Sequence, residues 1–309
     1  LAPLDFQTLN ADDRPTCLIV QGDNTSFQVR GEEGAFDIPT DQWKDLLRQQ
    51  TGKDITFTVC MENQGKWSAF PPFTVHVANE PVDRYLVYRL LAPGYGLWGK
   101  MGIYQRDLET FEQKPLYENK TTEMNCVNCH SFQMQNPKKM MMHFRAWHGG
   151  TVIFNEGHIE KLNTKTDEMI SGFVYPYWHP TEDYIAFSNN IIGQSFFMYH
   201  ANRVEAFDAA SDVVVYNIKP HEVISSPLLK SEEAYESFPI FSPDGKSLYF
   251  TSAKALQMPD HYKEMHYNLC RIDFDSKTGT FGNQVDTVYC AEKDSMSISF
   301  PRISPDGKH

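Results

Sequence analysis

Apolar and polar residues alternate with a period of two through Ile55-Thr56-Phe57-Thr58-Val59-Cys60 and again through Phe73-Thr74-Val75-His76-Val77. That alternation predicts strands with one buried face. Tyr85-Leu86-Val87-Tyr88-Arg89-Leu90 reads the same way. One segment breaks the rhythm. Across residues 38–52 the apolar Trp43, Leu46 and Leu47 recur at three- and four-residue spacing, Thr40 or Asp41 stands where a cap belongs, and Gly52 follows. This spacing predicts a short helix. Residues 1–115 are therefore expected to form a sandwich-like β domain with one inserted helix.

Beyond residue 138 short strand patterns follow one another across turns. Met140-Met141-Met142-His143-Phe144-Arg145 leads through His148-Gly149-Gly150 into Thr151-Val152-Ile153-Phe154, and Asn155-Glu156-Gly157-His158 leads into Ile159-Glu160-Lys161-Leu162. Meanders of this kind build propeller blades. Self-similarity strengthens the reading. Tyr175-Pro176-Tyr177-Trp178-His179-Pro180-Thr181-Glu182-Asp183 matches Phe238-Pro239-Ile240-Phe241-Ser242-Pro243-Asp244-Gly245-Lys246, and Phe300-Pro301-Arg302-Ile303-Ser304-Pro305-Asp306-Gly307-Lys308 is a third copy. Pro180, Pro243 and Pro305 lie 63 and 62 residues apart, which is an internal repeat. Each copy reads as strand, tight turn, strand, with Pro setting φ and Gly accepting a positive φ. The copies resemble the WD40-like PD40 repeat of TolB-type propellers. The fold class expected is mainly β, an N-terminal sandwich-like domain followed by a partial PD40 propeller over residues 138–309, with three or four blades.

Composition leaves this picture standing. The 309 residues are 41% hydrophobic and 22% charged, ordinary for a water-soluble globular chain. No run approaches the roughly 18 apolar residues of a membrane helix. A formal charge of -12, with no basic run longer than Lys138-Lys139, argues against nucleic acid as a partner. Leu1 is not an initiator Met, and the third repeat stops at its turn. The chain is thus expected to be a piece of a longer protein, with a signal peptide or a lipid-bearing cysteine before Leu1.

Residues 116–137, expected as a connecting segment, carry the distinctive chemistry. Cys126-Val127-Asn128-Cys129-His130 is C-x-x-C-H, the attachment signature of c-type haem. Such spacing sets two thiols about one helical turn apart, and the adjacent imidazole can bind iron. Cys126 and Cys129 would be the thioether residues and His130 the proximal ligand. Met134, Met140, Met141, Met142, His143 and His148 are candidates for the sixth position, with His143 preferred because runs of Met usually fill cores. In a strand over 140–146, Met141, His143 and Arg145 would share one face. Zinc is an alternative: Cys126, Cys129, His143 and His148 fall within Cys2His2 spacing. A disulfide or a pair of buried thiols is the third.

Other candidates carry blander expectations. His148-Gly149-Gly150 is a hairpin turn, since no G-x-S-x-G elbow supplies a nucleophile. His179 is expected to bridge blades, and Glu205, Asp208 and Asp212 to lie in a solvated turn. Cys17 with Cys60, and Cys270 with Cys290, are candidate disulfide pairs.

Several segments together resemble a bacterial family of exported TolB-like propeller proteins. They are Leu1-Ala2-Pro3-Leu4-Asp5-Phe6, Tyr88-Arg89-Leu90-Leu91-Ala92-Pro93-Gly94-Tyr95, Ile103-Tyr104-Gln105-Arg106-Asp107-Leu108, Cys126-Val127-Asn128-Cys129-His130-Ser131-Phe132, Met141-Met142-His143-Phe144-Arg145 and the PD40 copies. Family members are commonly labelled cytochrome-c-like for the cysteine motif. The family usually reads Met-Met-Phe-His where this chain has Met140-Met141-Met142-His143. The resemblance implies an extracytoplasmic location, in the periplasm or at the outer membrane, with other envelope proteins or a redox partner. Two functions are expected from different classes. One is a c-type haem protein in electron transfer or redox sensing; the other is a non-catalytic propeller scaffold or accessory subunit. No motif for substrate turnover is present.

Overall fold

Strand-forming alternation becomes sheet wherever the two faces find different surroundings, and the first unit shows it directly. The computed structural model describes residues 1–9, 14–91, 101–196, 198–199 and 204–309; Ala92-Pro93-Gly94-Tyr95 lies outside them. The chain divides into Leu1–Glu118 and Asn119–His309. The first unit holds β1 (Phe6–Gln7), β2 (Thr16–Gln21), β3 (Ser26–Gly31), β4 (Ala35–Phe36), α1 (Thr40–Gln49), β5 (Asp54–Asn63), β6 (Lys66–Ala69), β7 (Phe73–His76), β8 (Tyr85–Leu90), β9 (Gly102–Asp107) and β10 (Gln113–Glu118). Its main sheet runs β3-β2-β5-β6, with β7 also paired to β5. Leu18, Val20, Ile55 and Phe57 from that sheet bury against Trp43 and Leu46 of α1, the apolar face expected for the helix. Its cap differs from expectation: Pro39 precedes the first turn and accepts from Trp43 N–H, while Asp41 lies inside that turn, where a negative charge favours the helix dipole.

Cys17 and Cys60 stand directly opposite each other on β2 and β5. Antiparallel partners lie about 4.5–5.5 Å apart at Cα, within disulfide range. Burial and the neighbouring thiol raise the Cys17 pKa. Mild oxidation with glutathione disulfide is expected to join them and stabilise the first unit by about 2–4 kcal/mol in urea unfolding. Alkylation of both thiols after oxidation is the contrary result.

The second unit is built from repeated four-stranded meanders. Its strands are β11 (Cys126–Phe132), β12 (Lys139–Arg145), β13 (Gly150–Asn155), β14 (His158–Leu162), β15 (Phe173–Trp178), β16 (Tyr184–Phe196), β17 (Val204–Asn217), β18 (Glu222–Ile224), β19 (Ala234–Phe241), β20 (Ser247–Lys254), β21 (Asn268–Asp275) and β22 (Thr280–Tyr289). They form three antiparallel sheets in plain sequence order, β11 to β14, β15 to β18 and β19 to β22. This is a propeller-like arrangement, and the first strands of successive sheets pack on one another. Both faces of the middle sheet are buried. Ala186, Val213 and Val215 meet Leu248, Phe250 and Ile272 of the third sheet, while Ile185, Phe187 and Val214 meet Met141 and Ile153 of the first. The long hairpin of β16 and β17 accounts for much of the extended repeat.

The repeat turns explain the Pro and Gly positions. In the third sheet Ser242 Oγ and Lys246 N–H both donate to Asp244 Oδ1, at 2.6 and 3.1 Å, and Gly245 has φ +71°. Ser304, Asp306, Gly307 and Lys308 reproduce this turn bond for bond, including φ +71°. His179 replaces the serine in the first copy. Its Nδ1 accepts from Thr181 and Glu182 N–H, and its Nε2 donates to Gly245 O at 3.0 Å. Gln133 Nε2 donates in turn to the carbonyls of His179 and Glu182. The first three hairpin turns are therefore tied in series, and His179 bridges blades as expected.

Two expectations are corrected here. Residues 116–137 are not a connecting segment, because Cys126–Phe132 is the first strand of a sheet, hydrogen-bonded along β12. Asp208 and Asp212 do not lie in a solvated turn: both belong to β17, and Asp212 is buried. Asn190 Nδ2 and the Tyr267 hydroxyl donate to Asp208, so partners distant in sequence allow the acid to leave water. Among the described residues no helix is long and apolar enough to cross a membrane.

Candidate functional site

The C-x-x-C-H segment is extended, and its register decides which side chains meet. Cys126 pairs with Arg145, Val127 with Phe144, Cys129 with His143, His130 with Met142, and Phe132 with Met140. The register shifts between Val127 and Cys129, a bulge that inserts one residue. Directly paired residues point to the same face of a sheet. Cys126, Cys129, His143 and Arg145 therefore share one face. His130 lies on the other, with Phe132, whose ring is edge-on to it at 6.4 Å.

His143 is enclosed. Its Nδ1 lies 3.1 Å from Thr151 Oγ1, and burial, reinforced by the Arg145 charge, pushes its pKa down to about 4. The imidazole is neutral at pH 7. His148 goes elsewhere: its backbone N–H donates to Asn125 Oδ1, and its half-exposed ring lies 3.4 Å from Glu123 Oε2. The four candidate zinc residues are not brought together. Among the described residues no group of three or more His, Cys, Asp or Glu side chains is arranged around a metal-sized space.

A thioether-linked haem does not fit this strand either. The attachment needs both thiols along one edge of the macrocycle with the next imidazole beneath it, which a helical turn provides. An extended strand sends His130 to the face opposite the thiols, and His143 to the thiol face. The two histidines cannot share one iron while the sheet stands.

Counting back from each hairpin shows what the motif occupies instead. Phe132, Trp178 and Phe241 close the turns, opposite Met140, Ile185 and Leu248. Three residues before them stand Cys129, Tyr175 and Phe238. In sequence Cys129-His130 thus aligns with Tyr175-Pro176, Phe238-Pro239 and Phe300-Pro301. In register, however, Cys129 faces His143 as Val174 faces Ser188 and Ser237 faces Thr251, and the bulge that skips Tyr175-Pro176 and Phe238-Pro239 falls before Cys129 instead. Tyr175, Phe238 and Phe300 all have positive φ, of 51°, 51° and 47°. Their rings cluster with centroids 4.6, 5.5 and 4.2 Å apart. The aromatic trio lies where the first strands converge. Burial raises the Tyr175 pKa, and the negative charge of Asp208 adds to the shift.

Beside this axis a cleft of about 750 Å³ opens between the first and second sheets. His143, Arg145, Trp147, Lys161, Lys165 and Asn190 contribute to its wall. Sequence reasoning missed it, because its cations come from three separate turns and strand ends.

The chain matches no protein-family profile and no curated protein sequence. Solved structures give distant likenesses. A Bacteroides uniformis protein described as 6-phosphogluconolactonase-like is 10% identical, with TM-score 0.40 over 96% of this chain and 88% of that one. Porphyromonas gingivalis dipeptidyl peptidase 4 is 14% identical, with TM-score 0.41 over 78% of this chain and 40% of that one. An oligogalacturonate lyase in complex with manganese is 11% identical, with TM-score 0.34 over 81% and 69%. At such scores the architecture rests on the sheet order itself, and no activity is taken from these proteins.

Proposed function

We propose that this chain is a non-catalytic propeller of the cell envelope, a binding module or accessory subunit of a larger assembly. One observation carries the reading: the C-x-x-C-H segment is the bulged first strand of a sheet, with its thiols on one face and His130 on the other. Thiols and imidazole are held in the sheet's own ladder and are not gathered into one site. The envelope location comes from the family resemblance. His179 joins hairpin turns, and Asp208 is held by Asn190 and Tyr267.

Protein purified from its own host, where haem-attachment machinery is present, is expected to show no Soret or α-band in a reduced-minus-oxidised spectrum. It should migrate in a complex larger than the monomer. The C126S/C129S variant should keep both that size and its sheet circular dichroism. A haem spectrum lost in this variant would restore the electron-transfer reading, and monomeric native protein would remove the scaffold reading.

A further inference from the structure

We propose that the cleft between the first two sheets of the second unit binds an anionic carbohydrate, a sugar carrying carboxylate or sulfate. This goes beyond the scaffold reading, since it assigns a ligand to a particular site. The first support is charge. The chain carries 40 acidic against 28 basic residues, yet the cleft wall holds Arg145, Lys161 and Lys165 and no carboxylate. Among the described residues none of these three cations forms an ion pair, whereas Lys139 and Lys219, at the other end of the sheets, both reach Asp183. Three uncompensated cations in one concavity focus a positive potential in a protein that is otherwise negative. Arg offers a planar fork to a carboxylate or sulfate, and Lys adds point charge.

The second support is an aromatic surface. Trp147 lines the cleft and is 92% exposed, an unusual position for so large an apolar side chain. An indole left open at the rim of a polar cleft presents a flat apolar face and an N–H, which matches the C–H face and hydroxyls of a pyranose ring. Third, the wall is polar beyond its charges, with Asn163, Thr164 and Ser171 beside the cations. About 750 Å³ lies within the roughly 300–1,000 Å³ of small-molecule sites and accommodates a short oligosaccharide.

The test uses the whole chain and three defined probes: tri-glucuronate (carboxylate only), a heparin tetrasaccharide (carboxylate and sulfate) and neutral maltotriose. Calorimetry and Trp fluorescence are read at low and at physiological salt. One or both acidic probes should bind, weaken as salt rises, and change an indole emission that W147A abolishes. K161A/K165A should weaken that binding at least about tenfold; both side chains are on the surface, so the fold is retained. Equal binding of maltotriose, unchanged affinity in K161A/K165A, or no binding of either acidic probe at millimolar concentration would each overturn the proposal. Competition by inorganic sulfate at the same concentration as the sugar would reduce the site to a simple anion site and overturn its carbohydrate part.

Discussion

Replacing Gly245 by Ala is expected to destabilise the second unit by about 3–5 kcal/mol, far more than an ordinary glycine-to-alanine change. Two causes combine. At φ +71° an L-residue carries a penalty of about 1 kcal/mol. An added Cβ would also stand 2.2 Å from His179 Nε2 and 2.4 Å from Cε1. That ring cannot swing aside at low cost, because Nδ1 accepts two backbone N–H groups and Nε2 donates to Gly245 O. It is also packed edge-on against Phe241 at 4.9 Å. Displacing it breaks the buried bond to Gly245 O and the two part-buried bonds from Thr181 and Glu182 N–H, about 0.5–1.5 kcal/mol each, on top of the overpacking. Gly157 supplies the control, with φ +93° and nothing near its missing Cβ, so G157A should lose only about 1 kcal/mol. Urea unfolding of the two variants measures the difference. Equal losses would mean that the bridge between hairpin turns contributes nothing. H179Q, which lacks the ring, should relieve part of the G245A clash in the double variant.

What the sequence disclosed here was local chemistry, and what it hid was register. Pro180, Pro243 and Pro305 stand out because a Pro-Asp-Gly turn imposes its backbone through residues adjacent in the chain, and the turns at Asp244 and Asp306 are indeed alike to the hydrogen bond. The first sheet was harder. Its residue at the same count from the hairpin, Cys129, lies 46 residues before Tyr175, lacks the following proline, and is written in letters that mean haem in a helical turn. Only pairing with Arg145 and His143 shows that the segment is a strand with its thiols and His130 on opposite faces. Spacing rules for metal ligands presume a local conformation, and a bulged strand does not supply it. The acids of β17 were misread for a similar reason. Asp208 looks like a loop residue among Ala209, Ala210 and Ser211, but the groups that satisfy it are Asn190 and Tyr267, which no local window contains. Arg145 at the end of β12, Lys161 on β14 and Lys165 in the loop after it are each unremarkable locally, and share one cleft wall only through the fold of the first sheet.

Replacing Glu236 by Gln is expected to raise stability above neutral pH and to tilt the pH profile of the whole second unit. Glu236 is 3% exposed, its Oε2 has no partner, and burial together with the charge of Asp212 lifts its pKa to about 7. Because the folded pKa is raised, the stability it permits is full below the unfolded value of 4.5 and is lost as pH climbs from there through about 7. A shift of this size corresponds to about 3 kcal/mol by linkage. Glutamine carries no such charge, so E236Q should gain up to about 3 kcal/mol over wild type at pH 8 and nothing at pH 4. His143 works in the opposite sense over nearly the same range. Its folded pKa, lowered to about 4, makes its contribution full above the ordinary imidazole value of 6.5 and lost as pH falls toward 4. His179, also lowered by burial, adds to that acid-side loss. In the wild type the loss at Glu236 on raising pH, joined by losses at Asp208 and Asp212, whose pKa values burial also raises, opposes the gains at the histidines. Removing Glu236 takes away one opposing contribution, so the stability of E236Q should rise relative to wild type as pH climbs across that interval. Urea midpoints at half-unit pH steps measure both slopes, and parallel profiles for E236Q and wild type would show that the carboxyl is ionised in the folded chain at no cost.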